Sequence, residues 1–305
     1  MKSSIGQPFW ILAWATYVLA GQTGGLNAQS DERDVSPSVE AWRLDRIGQG
    51  GDTATYRIWR ENLTVGRDGT VLSTIRASGM LTRTLTEEVA SGVWRERVRW
   101  REYEYGEGAP GTAGTDLQPI VGAVGVTYEI DPREDPLSWL DAPVTDMTPG
   151  PASMLFTVLI LDAWSWDGLI DELRRAGHHA VRPGETIALD AWDEARDTGS
   201  RTSGLSGRYR LGATEVTVVG LAACGDSREC LRLSFRVGPN EVIQEMPGIR
   251  ISGQEFITGT ADLSLDDGSL VRGELWGPLI ATFQANGAAL PVSGVLQRVT
   301  TTRIR

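Results

Sequence analysis

The residue types that usually carry chemistry are sparse and oddly placed. The only histidines, His178 and His179, are adjacent. Neighbouring side chains diverge on a strand and on a helix alike, so the two are poorly placed to share one metal ion. No third nitrogen ligand exists, and both cysteines are needed elsewhere, so no zinc or copper site is expected. The pair reads instead as a polar helix exit, where an imidazolium favours the last carbonyls. Asp162 and Asp167 flank Trp164-Ser165-Trp166. Two carboxylates beside indoles that can stack on a sugar form a glycosidase-like grouping, provided their separation is right, and spacing alone does not set that separation. Trp164 and Trp166 are equally at home in a core. Arg95, Arg97, Arg99 and Arg101 alternate along one run. Such a ladder can hold anions, or it can be a solvated sheet face paired with Glu87 and Glu88. Like charges in water cost little there. The candidate ligand-binding residues are therefore Trp164, Trp166, Arg95, Arg97 and Arg99. No catalytic set, no metal site and no cofactor is expected.

Two further motifs are weaker. Gly225-Asp226-Ser227 matches the nucleophile tripeptide of the Gly-Asp-Ser hydrolases, but no histidine follows His179 to serve that serine. Glycine, aspartate and serine are also what a turn requires. Asn62-Leu63-Thr64 fits the glycosylation triplet.

Composition bounds the rest. The 305 residues carry a formal charge of -11, and Lys2 is the only lysine. Schiff-base chemistry and a phosphate-loop lysine are thereby excluded. The acidic balance argues against nucleic acid as a partner. Lys2 followed by the apolar run Phe9–Ala20 and small residues at Ala20 and Ala28 reads as a signal peptide, residues 1–28. The run is short for a membrane span, so no integral membrane segment is expected after its removal. An exported protein, periplasmic or extracellular, is the expectation, with a Cys224–Cys230 disulfide in that oxidising setting.

The elements that must position any site are mostly strands. Residues 29–41 read as a disordered leader. Residues 42–305 read as one β-rich domain, or as two β lobes, 42–130 and 205–305, joined by a helical and loop segment at 131–204. Strands are expected at 53–65, 71–77, 81–86 and 93–105. In the last, Trp94, Val98 and Trp100 point one way and the arginines the other. A helix region is expected at 152–176: Trp166, Leu169, Ile170 and Leu173 recur at helical spacing, and Arg174 and Arg175 precede Gly177 as a stop. The stretch 207–237 reads as a hairpin closed by Cys224 and Cys230. If the cysteines face each other, Ala223 pairs with Leu231, Leu221 with Leu233 and Val219 with Phe235, giving an apolar face opposite Arg232, Ser234 and Arg236. Asp267-Gly268 and Asn286-Gly287 mark later hairpins.

Four features carry a resemblance to secreted β-rich bacterial proteins of no assigned activity. They are the signal peptide, Leu159-Ile160-Leu161-Asp162-Ala163-Trp164, Pro183-Gly184-Glu185, and Gly259-x-Ala261-Asp262 leading to Asp267-Gly268. The order strand, helix, strand is also similar to lipoprotein-carrier half-barrels, in which a curved sheet wraps a helix and shelters acyl chains. That resemblance implies no residue roles. The expected fold is mainly β (α+β), a large curved antiparallel sheet or half-barrel packed on one central helix. The expected function is non-enzymatic binding of a lipid, another amphipathic small molecule or an envelope protein in the concavity of the sheet. The alternatives are a carboxylate enzyme on extracellular glycans, through residues such as Asp162 and Asp167, and a structural module of a surface assembly.

Overall fold

Long runs rich in Val, Ile, Thr and aromatic residues, broken by Gly-containing turns, build antiparallel ribbon. Seven such strands dominate the computed structural model: β2 (Thr53–Gly66), β3 (Val71–Ala90), β4 (Val93–Gly108), β12 (Glu229–Met246), β13 (Ile249–Ser264), β14 (Leu270–Ala285) and β16 (Val292–Arg303). Shorter strands are β1 (Trp42–Arg43), β5 (Gln118–Pro119), β6 (Thr127–Ile130), β7 (Ala180–Val181), β8 (Thr186–Leu189), β9 (Arg196–Ser200), β10 (Leu205–Arg210), β11 (Thr214–Ala223) and β15 (Ala288–Ala289). The structure describes residues 41–108, 116–132, 169–200, 205–224, 229–246 and 248–304, all within one compact unit, Val39–Arg305.

The main sheet has 14 strands and does not close. Its path runs β5-β4-β3-β2-β16-β14-β13-β12-β10-β9, with β6 beside β4 and β11 bridging β12 to β8. The first long strand therefore pairs with the last, Arg60 opposite Val299 and Asn62 opposite Gln297. The expected break between 71–77 and 81–86 is absent: β3 is one continuous strand. The polar stretch 181–206 carries β8 and β9, short strands with no alternation to announce them.

One face of the sheet is buried. Trp94, Val98 and Trp100 point into it, and Trp100 is wholly covered. Its ring lies over Gly79 of β3, where a Cβ would sit 2.3 Å from the indole. Beyond Trp100 the register slips: Leu81 pairs with Trp100 but Met80 with Glu102, so Arg101 has no opposite residue. A bulge of this kind inverts the side-chain parity downstream. Tyr103 and Tyr105, which the alternation alone would turn outward with the arginines, therefore lie in the core.

Within 207–237, β11 and β12 pair antiparallel as expected, and Cys224 is bridged to Cys230 with Cα atoms 5.7 Å apart. Its register differs from the expectation. Ala222 opposes Cys230, Leu221 opposes Leu231 and Gly220 opposes Arg232, then Val218 opposes Leu233. Val219 is the bulged residue, and Gly220 supplies the positive φ of 133° beside it. Val216 and Val218 are buried with Leu231, Leu233 and Phe235, whereas Val219 and Leu221 are exposed. Facing cysteines were the wrong starting point for the count.

Helix α1 spans Leu169–Arg175. The rest of the expected helix, 152–168, lies outside the described residues. Ile170 and Leu173 join the core. The helix stops where a left-handed glycine allows it: Gly177 has φ 92°, its N–H bonds Arg174 O, and the N–H of His178 bonds Leu173 O, the pattern of a Schellman end. Buried Arg174 pairs with Asp171 at 2.7 Å and donates to the carbonyls of Leu44 and Gly268.

Candidate functional site

The sequence-derived candidates do not assemble into a site among the described residues. Trp164, Trp166, Asp162, Asp167 and the Gly225-Asp226-Ser227 tripeptide fall outside those residues. The arginine ladder is on the outer side of β4. Arg95 pairs with Glu87 and Asp131, each at 2.7 Å, and Arg97 with Glu129 at 2.9 Å, while Arg99 is exposed. His179 meets Asp45 at 2.7 Å through Nδ1. Asn62 of the glycosylation triplet turns its amide to Arg60, so the triplet sits in mid-sheet and not on a loop.

A different grouping is assembled by the sheet. Tyr56, Ile58, Arg60 and Asn62 alternate along β2, and the first two are core residues. Parity therefore carries the Arg60 side chain into the apolar face, where none of it is exposed. Its inner-face neighbours are apolar: Ala77 across β3 and Val299 across β16. Nε donates to Asn62 Oδ1 at 3.1 Å and Nη2 to Gln297 Oε1 at 2.6 Å. Among the described residues, Nη1 is buried with no hydrogen-bond partner.

Gln297 passes the contact on. Its Nε2 donates to Glu255 Oε1 at 2.5 Å. The other carboxylate oxygen accepts from Tyr209 OH at 2.8 Å and from Asn240 Nδ2 at 3.3 Å. Asn240, delivered inward by the bulge between Val237 and Asn240, in turn accepts from the Gly212 N–H. Burial lowers the Arg60 pKa to about 10, against the opposing attraction of Glu255 and Tyr103. It stays a cation at neutral pH. Burial likewise pushes the Tyr103 and Tyr209 phenols up, so both remain proton donors. Sequence reasoning missed Arg60, Gln297 and Glu255. The available signal was Arg60 falling on the apolar parity of its own strand.

The opposite face carries a cluster of exposed apolar side chains. Trp276 and Ile280 stand on β14, Phe256 on β13 and Leu296 on β16. Leu296 is paired with Pro278 on one side and Leu63 on the other.

No family model matches the chain, and no curated protein matches it. Three solved structures resemble it weakly. DynF from the dynemicin biosynthesis pathway of Micromonospora chersina shares 9% identity, with 91% of this chain and 92% of that one covered at a TM-score of 0.26. A protein classed as exported, with a YmcC-like fold, from Bacteroides fragilis NCTC 9343 shares 10%, with 87% and 98% covered at 0.21. A protein classed as a lipoprotein from Parabacteroides distasonis ATCC 8503 shares 9%, with 87% and 98% covered at 0.19. Among the described residues no helix is long and apolar enough to cross a membrane.

Proposed function

We propose that the chain is an exported, non-enzymatic protein that binds an amphipathic ligand on the inner face of a curled sheet. Curling is supported at one end of the ribbon. The β3–β4 turn and the β13–β14 turn lie about four strand spacings apart along the sheet path, roughly 19 Å if it were flat. Yet both press on Asp45: a Cβ on Gly92 would lie 3.0 Å from its Cα, and one on Gly268 would lie 2.3 Å from its carbonyl oxygen. Helix α1 sits at that same end, tied to Leu44 and Gly268 by Arg174. The sheet thus bends round an apolar face and the helix stoppers one end.

The observation that carries the reading is Arg60. A buried charged group with a spare N–H, bonded to two amides and flanked by Ala77 and Val299, suits a ligand that is itself part polar and part apolar. The signal-like N-terminus and the disulfide support an oxidising, exported setting. The test is direct. The exported chain, freed of co-purified lipid, is titrated with hexadecanoic acid and with hexadecanol while tryptophan fluorescence is read. Saturable binding of at least one supports the proposal, and no binding of either overturns it.

A second reading, partner binding, is favoured by the outer cluster of Phe256, Trp276, Ile280 and Leu296. Exposed apolar patches of this kind mark contact surfaces. Trp276→Arg should then abolish any self-association or capture seen by sedimentation, and an unchanged profile argues against it.

A further inference from the structure

We infer that Arg60 is the head-group anchor of this inner-face site, and that it selects a carboxylate amphiphile over a neutral one. The inference rests on the binding reading above and adds the ligand's head-group chemistry.

Three arginines are buried among the described residues: Arg60, Arg83 and Arg174. They form an internal comparison. Arg83 meets Glu96 at 2.6 Å, and Arg174 meets Asp171 at 2.7 Å. Arg60, the most deeply covered of the three, has no carboxylate in ion-pair contact among the described residues. Its two bonds go to neutral amides, Asn62 and Gln297. Glu255 is held one side chain away, because Gln297 stands between them.

A cation removed from water without an adjacent counter-charge is unfavourable, and an unmade hydrogen bond at the same group adds to it. Both deficits are cancelled by one event, the arrival of an anionic oxygen at Nη1. Glu255 does not supply it: Gln297 lies between the two, and the carboxylate is held by Gln297, Tyr209 and Asn240 instead. The surroundings set the rest of the ligand. Ala77 and Val299 flank Arg60 on the sheet, with Ile58 two residues along β2. A phosphate dianion would need more donors than the single Nη1 provides. A single carboxylate on a long apolar body fits the count. Nη1 is screened from solvent, so binding must part the side chains over it.

The experiment uses the lipid-free exported chain with hexadecanoic acid and hexadecanol as probes. The wild type should bind the ionised acid about tenfold tighter than the alcohol, the yield of one charge-assisted hydrogen bond. Arg60→Met should bind both equally, with the preference for the acid lost. Its fold is checked by circular dichroism. Should Arg60→Met not fold, Glu255→Gln serves: removing that negative charge should tighten acid binding and leave alcohol binding unchanged. Equal wild-type affinities, a preference that survives Arg60→Met, or acid binding weakened by Glu255→Gln would each overturn the anchor while leaving the inner-face reading standing. Binding of neither probe would remove the reading itself.

Discussion

The amide of Gln297 on β16 reaches Glu255 on β13 at 2.5 Å, across the whole width of β14. The residue paired with Gln297 on the intervening strand is Gly277. With no side chain there, the amide can lie over the strand. A Cβ at 277 would stand 1.7 Å from the carbonyl oxygen of Phe256. Backbone cannot yield as a side-chain tip does. Gly277→Ala should therefore cost about 3 kcal/mol or more, read as a lower urea midpoint.

Gln297→Leu should be costly for a different reason. It leaves Arg60 and Glu255 each short of a bond inside the protein, at about 2–4 kcal/mol together. Combining it with Arg60→Met should return part of that loss, because the stranded cation is gone. A double-mutant cycle by urea denaturation reads the coupling, and strict additivity would show that the amide does not link the two.

Arg232 looks from its strand like a dispensable outer residue. It is bound to Asp262 through Nε at 2.7 Å and Nη2 at 2.8 Å, and the Asp262 side chain is only 5% exposed. Arg232→Ala should cost about 1–3 kcal/mol by leaving a covered carboxylate without donors. Arg236→Ala, four residues on and exposed, should be close to neutral. Chemical denaturation of the two variants compares them.

Asp267 gives a pH dependence with a defined sign. Burial alone would raise its pKa, but bonds from Ser269, Arg303 and Ser264 outweigh that and hold it at about 2. A carboxyl depressed on folding stabilises above its ordinary pKa of 3.8, and the contribution fades as pH falls toward about 2. The thermal midpoint should drop through that window, and Asp267→Asn should flatten the drop. An unchanged profile would show that another group sets the acid limit.

Much of the architecture could be read from the residues. The ribbon character of 53–65 and 93–105, the helix stop at Gly177 and the Asn286-Gly287 turn all follow from local chemistry that tertiary contacts do not override. Register was harder. Bulges at Val219 and Arg101 shift parity by one residue, and neither has a distinctive composition. The first turned Val219 to solvent and Val216 and Val218 inward, and the second turned Tyr103 and Tyr105 inward. The Arg60 grouping was hidden for a related reason. Its members come from β2, β16, β13, β12 and β10, and only the strand order brings residues 60, 297, 255, 240 and 209 together.

The pairing of β2 with β16 has a consequence for how the chain is made. One edge of residues 53–66 stays empty until residues 292–303 arrive. A polypeptide emerging amino end first, from a ribosome or through an export channel, therefore holds an open, hydrogen-bonding margin for nearly its whole length. Such distant pairings are slow to form. Anything that detains the last dozen residues leaves the central seam of the sheet unzipped, and an escort that shields β2 in the interval would raise the yield of finished molecules.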